Sequence, residues 1–174
     1  MTNNIRRQLT LFVAQKDAET IEAIRQTFNP RQYALIKYHV TLCREDEIQD
    51  IDQVISNLAT QSLTNISIEF GEPIRFANGK GVLLPALINN APFYELRRQV
   101  LLGLTDNPKK QEPHITLMHP RNSTCTDIIF EQIQKIQLPT ILEFKKVSLI
   151  EQCNDREWIV LQEFELLDRT KSHY

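Results

Sequence analysis

The chain has 174 residues, enough for one ordinary domain with a buried core, or for two small lobes fused into one body. Its 20 Lys and Arg residues against 22 Asp and Glu residues give a net charge of −2, so no global positive field exists to hold duplex DNA. With 41% hydrophobic residues and only 4 glycines, the composition excludes disordered and collagen-like chains.

The sequence also argues against a membrane or secretory destination. The longest near-apolar run, residues 82–88, is far shorter than the ~18 residues that a spanning helix needs. The first residues lack the apolar stretch and the cleavage site of a signal peptide. Cys43, Cys125 and Cys153 are odd in number and lack C-x-x-C spacing, which suits a reducing compartment. We expect a cytoplasmic protein with no membrane partner.

The first half of the chain predicts two strand-helix units followed by a hairpin. From the apolar periodicity we expect a strand at 9–14, a helix at 18–28, a strand at 38–43, a helix at 47–59, and strands at 66–70 and 74–84 that pair as a hairpin. Asp17 and Asp46 are the expected helix caps, and Asn29-Pro30 is the expected end of the first helix.

The second half repeats this plan. It predicts a helix at 92–104, a strand at 114–118, a helix at 127–137, and strands at 142–149 and 158–164 around a turn at 152–156. No linker rich in Gly or Ser separates the halves. We therefore expect an α+β fold in which residues 1–174 form one compact domain of two lobes, with mostly antiparallel sheets and the helices outside.

One four-residue pattern occurs once in each half, at an equivalent place. His39-Val40-Thr41-Leu42 and His114-Ile115-Thr116-Leu117 both read His, β-branched residue, Thr, Leu, and the chain has only 4 histidines. Either copy alone is a weak signal, because a single strand histidine is usually structural. The duplication makes a functional pair the better interpretation.

The alternation of side chains along a strand explains why this spacing matters. Residues two positions apart share a face of the sheet, so each strand presents one imidazole beside one hydroxyl. If the lobes are related by a pseudo-twofold axis, both pairs converge on one groove. Two imidazoles can act as base and acid near neutral pH, and hydroxyls can donate hydrogen bonds to phosphate oxygens.

These two motifs resemble those of the 2H phosphoesterase superfamily, which includes cyclic nucleotide phosphodiesterases and bacterial 2′-5′ RNA ligase-like proteins. The resemblance covers nearly the full chain in element order, and its specific part is the pair of H-x-T-L motifs. It implies a bilobal pseudo-twofold fold with a central groove, chemistry without metal or cofactor, and a nucleotide or RNA terminus bearing a 2′,3′-cyclic phosphate as the ligand. By the same resemblance, His39 is the general acid, His114 is the general base, and Thr41 and Thr116 bind the phosphate.

Other readings of these residues remain open. The same chemistry could perform 2′-5′ RNA ligation, in which a ribose hydroxyl replaces water, or the chain could be a module that binds RNA ends or nucleotides without turnover. Paired histidines can also hold a metal, but neither motif contains a carboxylate or a third ligand at H-E-x-x-H or C-x-x-C spacing. We expect no metal site and a monomeric protein.

Residues beside the motifs give weaker signals. Arg44 and Arg121 each follow an H-x-T strand, and Arg121 is the better candidate for a phosphate contact because a turn at 119–122 fixes it beside the second motif. His119 and His173 are expected to be solvated. A nucleobase could stack on an aromatic residue, for which the candidates are Phe12, Tyr38, Phe76 and Trp158.

Overall fold

The strands form two antiparallel sheets. The computed structural model describes residues 4–169, and within them the strands are β1 Ile5–Phe12, β2 His39–Cys43, β3 Ile66–Glu69, β4 Ile74–Arg75, β5 Val82–Pro85, β6 His114–Met118, β7 Ile141–Phe144, β8 Lys146–Cys153 and β9 Ile159–Glu165. The larger sheet has the order β4-β5-β6-β2-β1-β8-β9, and β3 pairs with β7 in a separate two-stranded sheet. The two motif strands, β2 and β6, are therefore neighbours near the middle of the large sheet.

Five α-helices accompany the sheets in the described part of the chain: α1 Gln15–Phe28, α2 Pro30–Leu35, α3 Ile51–Thr60, α4 Ala91–Val100 and α5 Asp127–Gln134, together with a 3-10 turn at Glu45–Glu47. Helix α1 packs against β6, and α4 packs against β2 and β3. The mixed α+β architecture with antiparallel pairing confirms the predicted fold class. No helix among the described residues is long and apolar enough to span a membrane.

Several helix boundaries differ from the sequence prediction. Helices α4 and α5 end at Val100 and Gln134, before the predicted ends at 104 and 137. Pro30 ends α1 as predicted but also begins α2, because proline suits the first position of a helix. Helix α3 begins at Ile51 and is capped by Asp50, whose carboxylate accepts a hydrogen bond from the Gln53 backbone N–H at 3.1 Å. Asp46 is not its cap and lies in the 3-10 turn. Asp17 lies inside the first turn of α1 and does not cap it.

The strand pairing also differs from the prediction. The predicted partners 66–70 and 74–84 do not pair with each other, because β3 pairs with β7 from the second half of the chain. The hairpin is instead β4 with β5, and Gly79 takes the positive φ of 70° in the turn between them. The predicted strand at 142–149 is two strands in different sheets, β7 and β8, separated at Lys145.

Candidate active site

The register between β2 and β6 brings the two motifs together. Val40 and Ile115 are direct partners in this antiparallel pair. Continuing the register by one residue in each direction places His39 opposite Thr116, and Thr41 opposite His114. Directly opposed residues share a face of the sheet. The two His-Thr pairs therefore form a square on one face, while Val40 and Ile115 are fully buried on the other.

This square forms part of the lining of a groove of about 1060 Å³. All of the predicted site residues line it: His39, Thr41, His114, Thr116 and Arg121. The four residues of the square are half-buried, whereas Arg121 is exposed. The arrangement gives a ligand in the groove two imidazoles and two hydroxyls from two adjacent strands.

Each histidine is oriented in the same way by its own strand. His39 Nδ1 lies 2.8 Å from the Lys37 carbonyl oxygen, and His114 Nδ1 lies 3.0 Å from the Glu112 carbonyl oxygen. A carbonyl can only accept a hydrogen bond, so Nδ1 carries the proton in the neutral ring. Nε2 of each histidine is then the ring nitrogen that can exchange a proton with a ligand.

An aromatic ring packs edge-on against each imidazole. Phe12 is the direct partner of His39 across β1 and β2, and the ring centroids are 6.0 Å apart at 70°. Phe76 makes the matching contact with His114, at 6.1 Å and 85°. Together with the carbonyl hydrogen bonds, these contacts hold both rings in one orientation.

The electrostatic surroundings of His39 favour its neutral form. Burial lowers the pKa of His39 to about 4, against the opposing effect of its hydrogen bond to the Lys37 carbonyl. The positive charges that Arg25, His114 and His119 can carry lower this pKa further. At pH 7 these effects favour the neutral imidazole of His39.

Buried polar side chains form hydrogen bonds to the backbone of the first motif strand, β2. Gln111 donates a hydrogen bond from Nε2 to the Thr41 carbonyl at 2.6 Å. Arg97 donates to the Leu42 carbonyl and forms a 2.5 Å ion pair with Glu47, and both side chains of this pair are buried. These contacts satisfy the backbone of β2 and tie it to the segment that precedes β6.

His119, which the sequence predicted to be solvated, is half-buried and lines the groove. Its backbone N–H donates to Asn29 Oδ1 at 2.8 Å, and its Nδ1 accepts a hydrogen bond from the Arg121 backbone N–H at 3.1 Å. Extending the motif comparison by two residues gives the signal for this position. H-V-T-L-C-R and H-I-T-L-M-H place Arg44 and His119 at the same point. His173 lies outside the described residues.

Arg25 is a further lining residue that the sequence did not indicate. Its side chain is 2% exposed, and its guanidinium lies 4.4 Å from the centre of the buried Tyr38 ring. It donates hydrogen bonds to the carbonyls of Gln32 at 3.1 Å and Ile36 at 2.6 Å. Sequence periodicity placed Arg25 on α1 but could not show that this residue lines the groove.

The candidate stacking residues occupy different environments. Phe76 and Trp158 line the groove, and the guanidinium of Arg6 lies 5.4 Å from the centre of the Trp158 ring. Tyr38 is buried, and Phe12 packs against His39. Trp158 is thus the candidate best placed at the groove wall away from the histidines. Within the described residues, no group of three His, Cys, Asp or Glu side chains could hold a metal ion.

The sequence was compared with models of known protein families. The model of the 2′-5′ RNA ligase superfamily matches residues 13–156, which include both motifs. The chain belongs to the 2′-5′ RNA ligase superfamily. This result agrees with the resemblance to the 2H phosphoesterases that the two motifs indicated.

Solved structures of this superfamily's fold give the same architecture. E. coli LigT in its apo form is 13% identical to this chain, with a TM-score of 0.63 over 95% of this chain and 99% of LigT. The E. coli LigT complex with ATP has a TM-score of 0.65 at 13% identity, with the same coverage of both chains. A structure described as a phosphoesterase has a TM-score of 0.62 at 14% identity over 92% of this chain and 97% of its own. No curated protein matches the chain.

Proposed function

We propose that this protein hydrolyses a 2′,3′-cyclic phosphate at the end of an RNA or nucleotide, by general acid-base catalysis between His39 and His114 and without a metal ion. The observation that supports this proposal most strongly is the square of two His-Thr pairs on one sheet face inside the groove. Membership of the 2′-5′ RNA ligase superfamily makes phosphodiester chemistry the expected reaction class.

The reaction needs two proton transfers, one at each side of the phosphorus atom. One imidazole accepts a proton at Nε2 from water, and the water oxygen attacks phosphorus. The bond from phosphorus to one ribose oxygen breaks, and the other imidazole gives its Nε2 proton to that oxygen. Thr41 and Thr116 donate hydrogen bonds to the non-bridging oxygens, where negative charge increases in the transition state.

The family resemblance assigns the acid role to His39 and the base role to His114, and we keep this assignment. Because burial lowers the pKa of His39 to about 4, this ring must gain its proton together with the substrate. A bound phosphate anion stabilises the protonated imidazole and so raises its pKa. Arg121, at the exposed rim, is placed to assist by binding phosphate.

A nucleotide ligand fits both the chemistry and the superfamily. E. coli LigT has been crystallised with ATP and with 3′-AMP. In the present chain, Trp158 and Phe76 offer apolar surface in the same groove as the histidines. We propose that a base lies against one of these rings while its phosphate lies on the His-Thr square.

We further propose that residues 1–174 form one domain of two lobes that meet at β2 and β6, and that the protein acts as a cytoplasmic monomer. The central position of the β2-β6 pair in the sheet order supports the domain proposal. Cys43, Cys125 and Cys153 are all free thiols, which supports a reducing compartment.

A substrate panel tests the proposed reaction against its alternatives. The panel contains 2′,3′-cyclic mononucleotides, RNA with a 2′,3′-cyclic end and 2′-5′-linked oligonucleotides, all assayed with EDTA present. We expect hydrolysis of the cyclic phosphates. Joining of RNA ends without hydrolysis would favour 2′-5′ ligation, and tight binding without turnover would favour a nucleotide-binding module.

A further inference from the structure

The two motif strands share a short hydrogen-bonded border. Val40 on β2 and Ile115 on β6 are register partners. Pro113 directly precedes β6 and has no backbone N–H, so the ladder gains no donor at that position. Side-chain contacts therefore have a larger share in setting the spacing between Thr41 and His114.

Gln111 makes such a contact, and its partners allow only one orientation of its amide. Nε2 donates a hydrogen bond to the Thr41 carbonyl at 2.6 Å, and Oε1 accepts one from Arg97 at 3.4 Å. A carbonyl cannot donate and a guanidinium cannot accept, so the two ends of the amide cannot be exchanged. Gln111 is buried and lines the groove. Its amide is therefore held in one position at the groove wall.

A buried ion pair holds Arg97 in place. Arg97 Nη2 lies 2.5 Å from Glu47 Oε1 and donates to the Lys109 carbonyl at 2.9 Å. Glu47 Oε2 accepts a hydrogen bond at 2.9 Å from the backbone N–H of Arg44, the residue that follows β2. Only 2% of the Arg97 side chain and 6% of the Glu47 side chain are exposed. This pair joins the end of β2 to the segment before β6, and its hydrogen bonds compensate the buried charges.

Gln111 also stands next to the residue that orients His114. Glu112 follows Gln111 directly, and its carbonyl oxygen lies 3.0 Å from His114 Nδ1. The same short segment therefore holds the Thr41 backbone through Gln111 and the His114 ring through Glu112. Since Thr41 and His114 face each other in the register, a shift of Gln111 would change the spacing between one hydroxyl and one imidazole of the square.

The first motif has no counterpart of this side chain. Gln111 lies three residues before His114, whereas Ile36 lies three residues before His39. Ile36 has no side-chain donor, so the sequence repeat does not supply the contact a second time. A substitution of Gln111 therefore removes a contact that the motif repeat does not duplicate.

We propose that Gln111, held by Arg97 and Glu47, is a positioning residue for the reaction: it fixes the spacing between Thr41 and His114 so that both act on one phosphate. This inference rests on the proposed function and adds a residue that lies outside both motifs. Gln111 acts through the backbone of Thr41 and transfers no proton. Because a small displacement of the reacting groups raises the barrier more than it weakens binding, loss of Gln111 should lower kcat more than it changes KM.

A double-mutant cycle between Gln111 and Thr41 tests this role. Gln111→Met keeps the length of the side chain and removes both hydrogen bonds, whereas Thr41→Val removes the hydroxyl. With a 2′,3′-cyclic mononucleotide, we expect Gln111→Met to lower kcat by about 10-fold to 100-fold and to change KM by less than about threefold. Thr41→Val should lower kcat/KM at least about tenfold in the wild-type background but less than about threefold in the Gln111→Met background, because the hydroxyl is already misplaced there.

Gln111→Glu separates the two hydrogen bonds of the amide. At pH 8 the carboxylate keeps an acceptor for Arg97 but cannot donate to the Thr41 carbonyl. We therefore expect kcat to fall as in Gln111→Met, although the contact with Arg97 remains. Wild-type kcat in Gln111→Glu would show that the hydrogen bond to Thr41 does not position the hydroxyl.

Asn57→Leu is the matched control for the loss of a buried amide. Asn57 is 4% exposed, donates to the carbonyls of Val100 and Leu102 at 2.8 Å each, and is not among the residues that line the groove. This variant should destabilise the protein as Gln111→Met does, measured by urea unfolding. Its kcat should equal that of the wild type at temperatures below the unfolding transition.

A binding measurement separates the positioning role from the proposed hydrolysis. The same cycle is measured by calorimetry with 3′-AMP, for which Thr41→Val should weaken binding about tenfold in the wild-type background and less than about threefold in Gln111→Met. Equal effects of Thr41→Val in both backgrounds, or wild-type kcat in Gln111→Met, overturn the positioning role. If the wild type hydrolyses no cyclic phosphate, the proposed hydrolysis fails and the affinity cycle decides the role of Gln111. Absence of 3′-AMP binding by the wild type would contradict both proposals.

Discussion

At the scale of single residues, the two motif histidines are held in the same way. In both, Nδ1 lies close to the carbonyl two residues earlier, and an aromatic ring packs edge-on. The repeated motif was enough to predict that His39 and His114 act as a pair. It could not predict the depressed pKa of His39, because that shift depends on burial and on Arg25, which comes from a different element.

The pH dependence of turnover should show the lowered pKa of His39. We expect bell-shaped profiles for both kcat/KM and kcat, because one imidazole must be neutral and the other protonated. The limb set by His39 should lie at lower pH in kcat/KM, which reports the free protein, than in kcat, because bound phosphate raises the pKa of His39. Rates measured from pH 4 to 9 test this shift. Profiles that are flat across this range, with chemistry rate-limiting, would contradict catalysis by the two histidines.

The threonines provide a second test at this scale. Thr116 lies opposite His39 in the register and faces the groove, so its hydroxyl should donate to a phosphate oxygen. Thr116→Val, which keeps the shape and suits a strand, should lower kcat/KM by ~10-fold to 10³-fold. Thr116→Ser, which keeps the hydroxyl, should retain much of the activity. Equal activity of the two variants would show that this hydroxyl does not contact the reacting phosphate.

At the scale of elements, the sequence predicted individual strands more accurately than the pairing between distant strands. The strands β2 and β6 were predicted almost to the residue, because His, Thr and β-branched residues alternate cleanly there. The pairing of β3 with β7 was missed, since these strands come from different halves of the chain. Helix α2 was missed because Asn29-Pro30 was interpreted only as a stop signal, and this helix carries Arg31 to the groove.

Gly81, the residue before β5, lies close to the end of β6 and to Pro120 in the turn that follows it. A Cβ added to Gly81 would lie 2.5 Å from the Met118 carbonyl oxygen and 2.9 Å from Pro120. We expect Gly81→Ala to destabilise the protein by ~1–3 kcal/mol, because backbone must move to relieve the contact. Urea unfolding measures the change in free energy.

Gly71→Ala is the control for that variant. A Cβ at Gly71 would lie 3.0 Å from the end of the flexible Leu87 side chain, which can move at little cost. The two variants should therefore differ clearly in their unfolding midpoints. If they unfold at the same urea concentration, the close packing of Gly81 against β6 does not constrain the turn.

At the scale of the whole molecule, the net charge of the chain does not reveal the positive charge in the groove. The chain carries −2 overall, yet six arginines and three carboxylates line the groove: Arg6, Arg7, Arg25, Arg31, Arg44 and Arg121, with Glu45, Asp46 and Asp155. Composition was sufficient to argue against binding of duplex DNA. It could not predict this local excess, because the arginines come from β1, α1, α2 and two loops that only the fold brings together.

The free energy of unfolding should depend on pH through His39 and His119. His39 and His119 have pKa values lowered to about 4 in the folded protein, against ~6.5 in an unfolded chain. Between these values the unfolded state binds more protons, so stability is lost as pH falls from ~6.5 towards 4. The double variant His39→Asn, His119→Asn should lose less stability over this range than the wild type, measured by urea unfolding at pH 4.5 and 7. An equal loss in both proteins would mean that carboxylates alone cause the acid sensitivity.

The central claim is that His39 and His114 transfer protons as a unit, and His→Ala variants test it most directly. With a dinucleotide that ends in a 2′,3′-cyclic phosphate and with EDTA present, His39→Ala and His114→Ala should each reduce kcat/KM by ~10²–10⁴ while the circular dichroism spectrum is unchanged. The double variant should lose less than the product of the two single losses, because removing either partner already disables the pair. Wild-type turnover by His114→Ala, or losses that multiply fully in the double variant, would contradict the account.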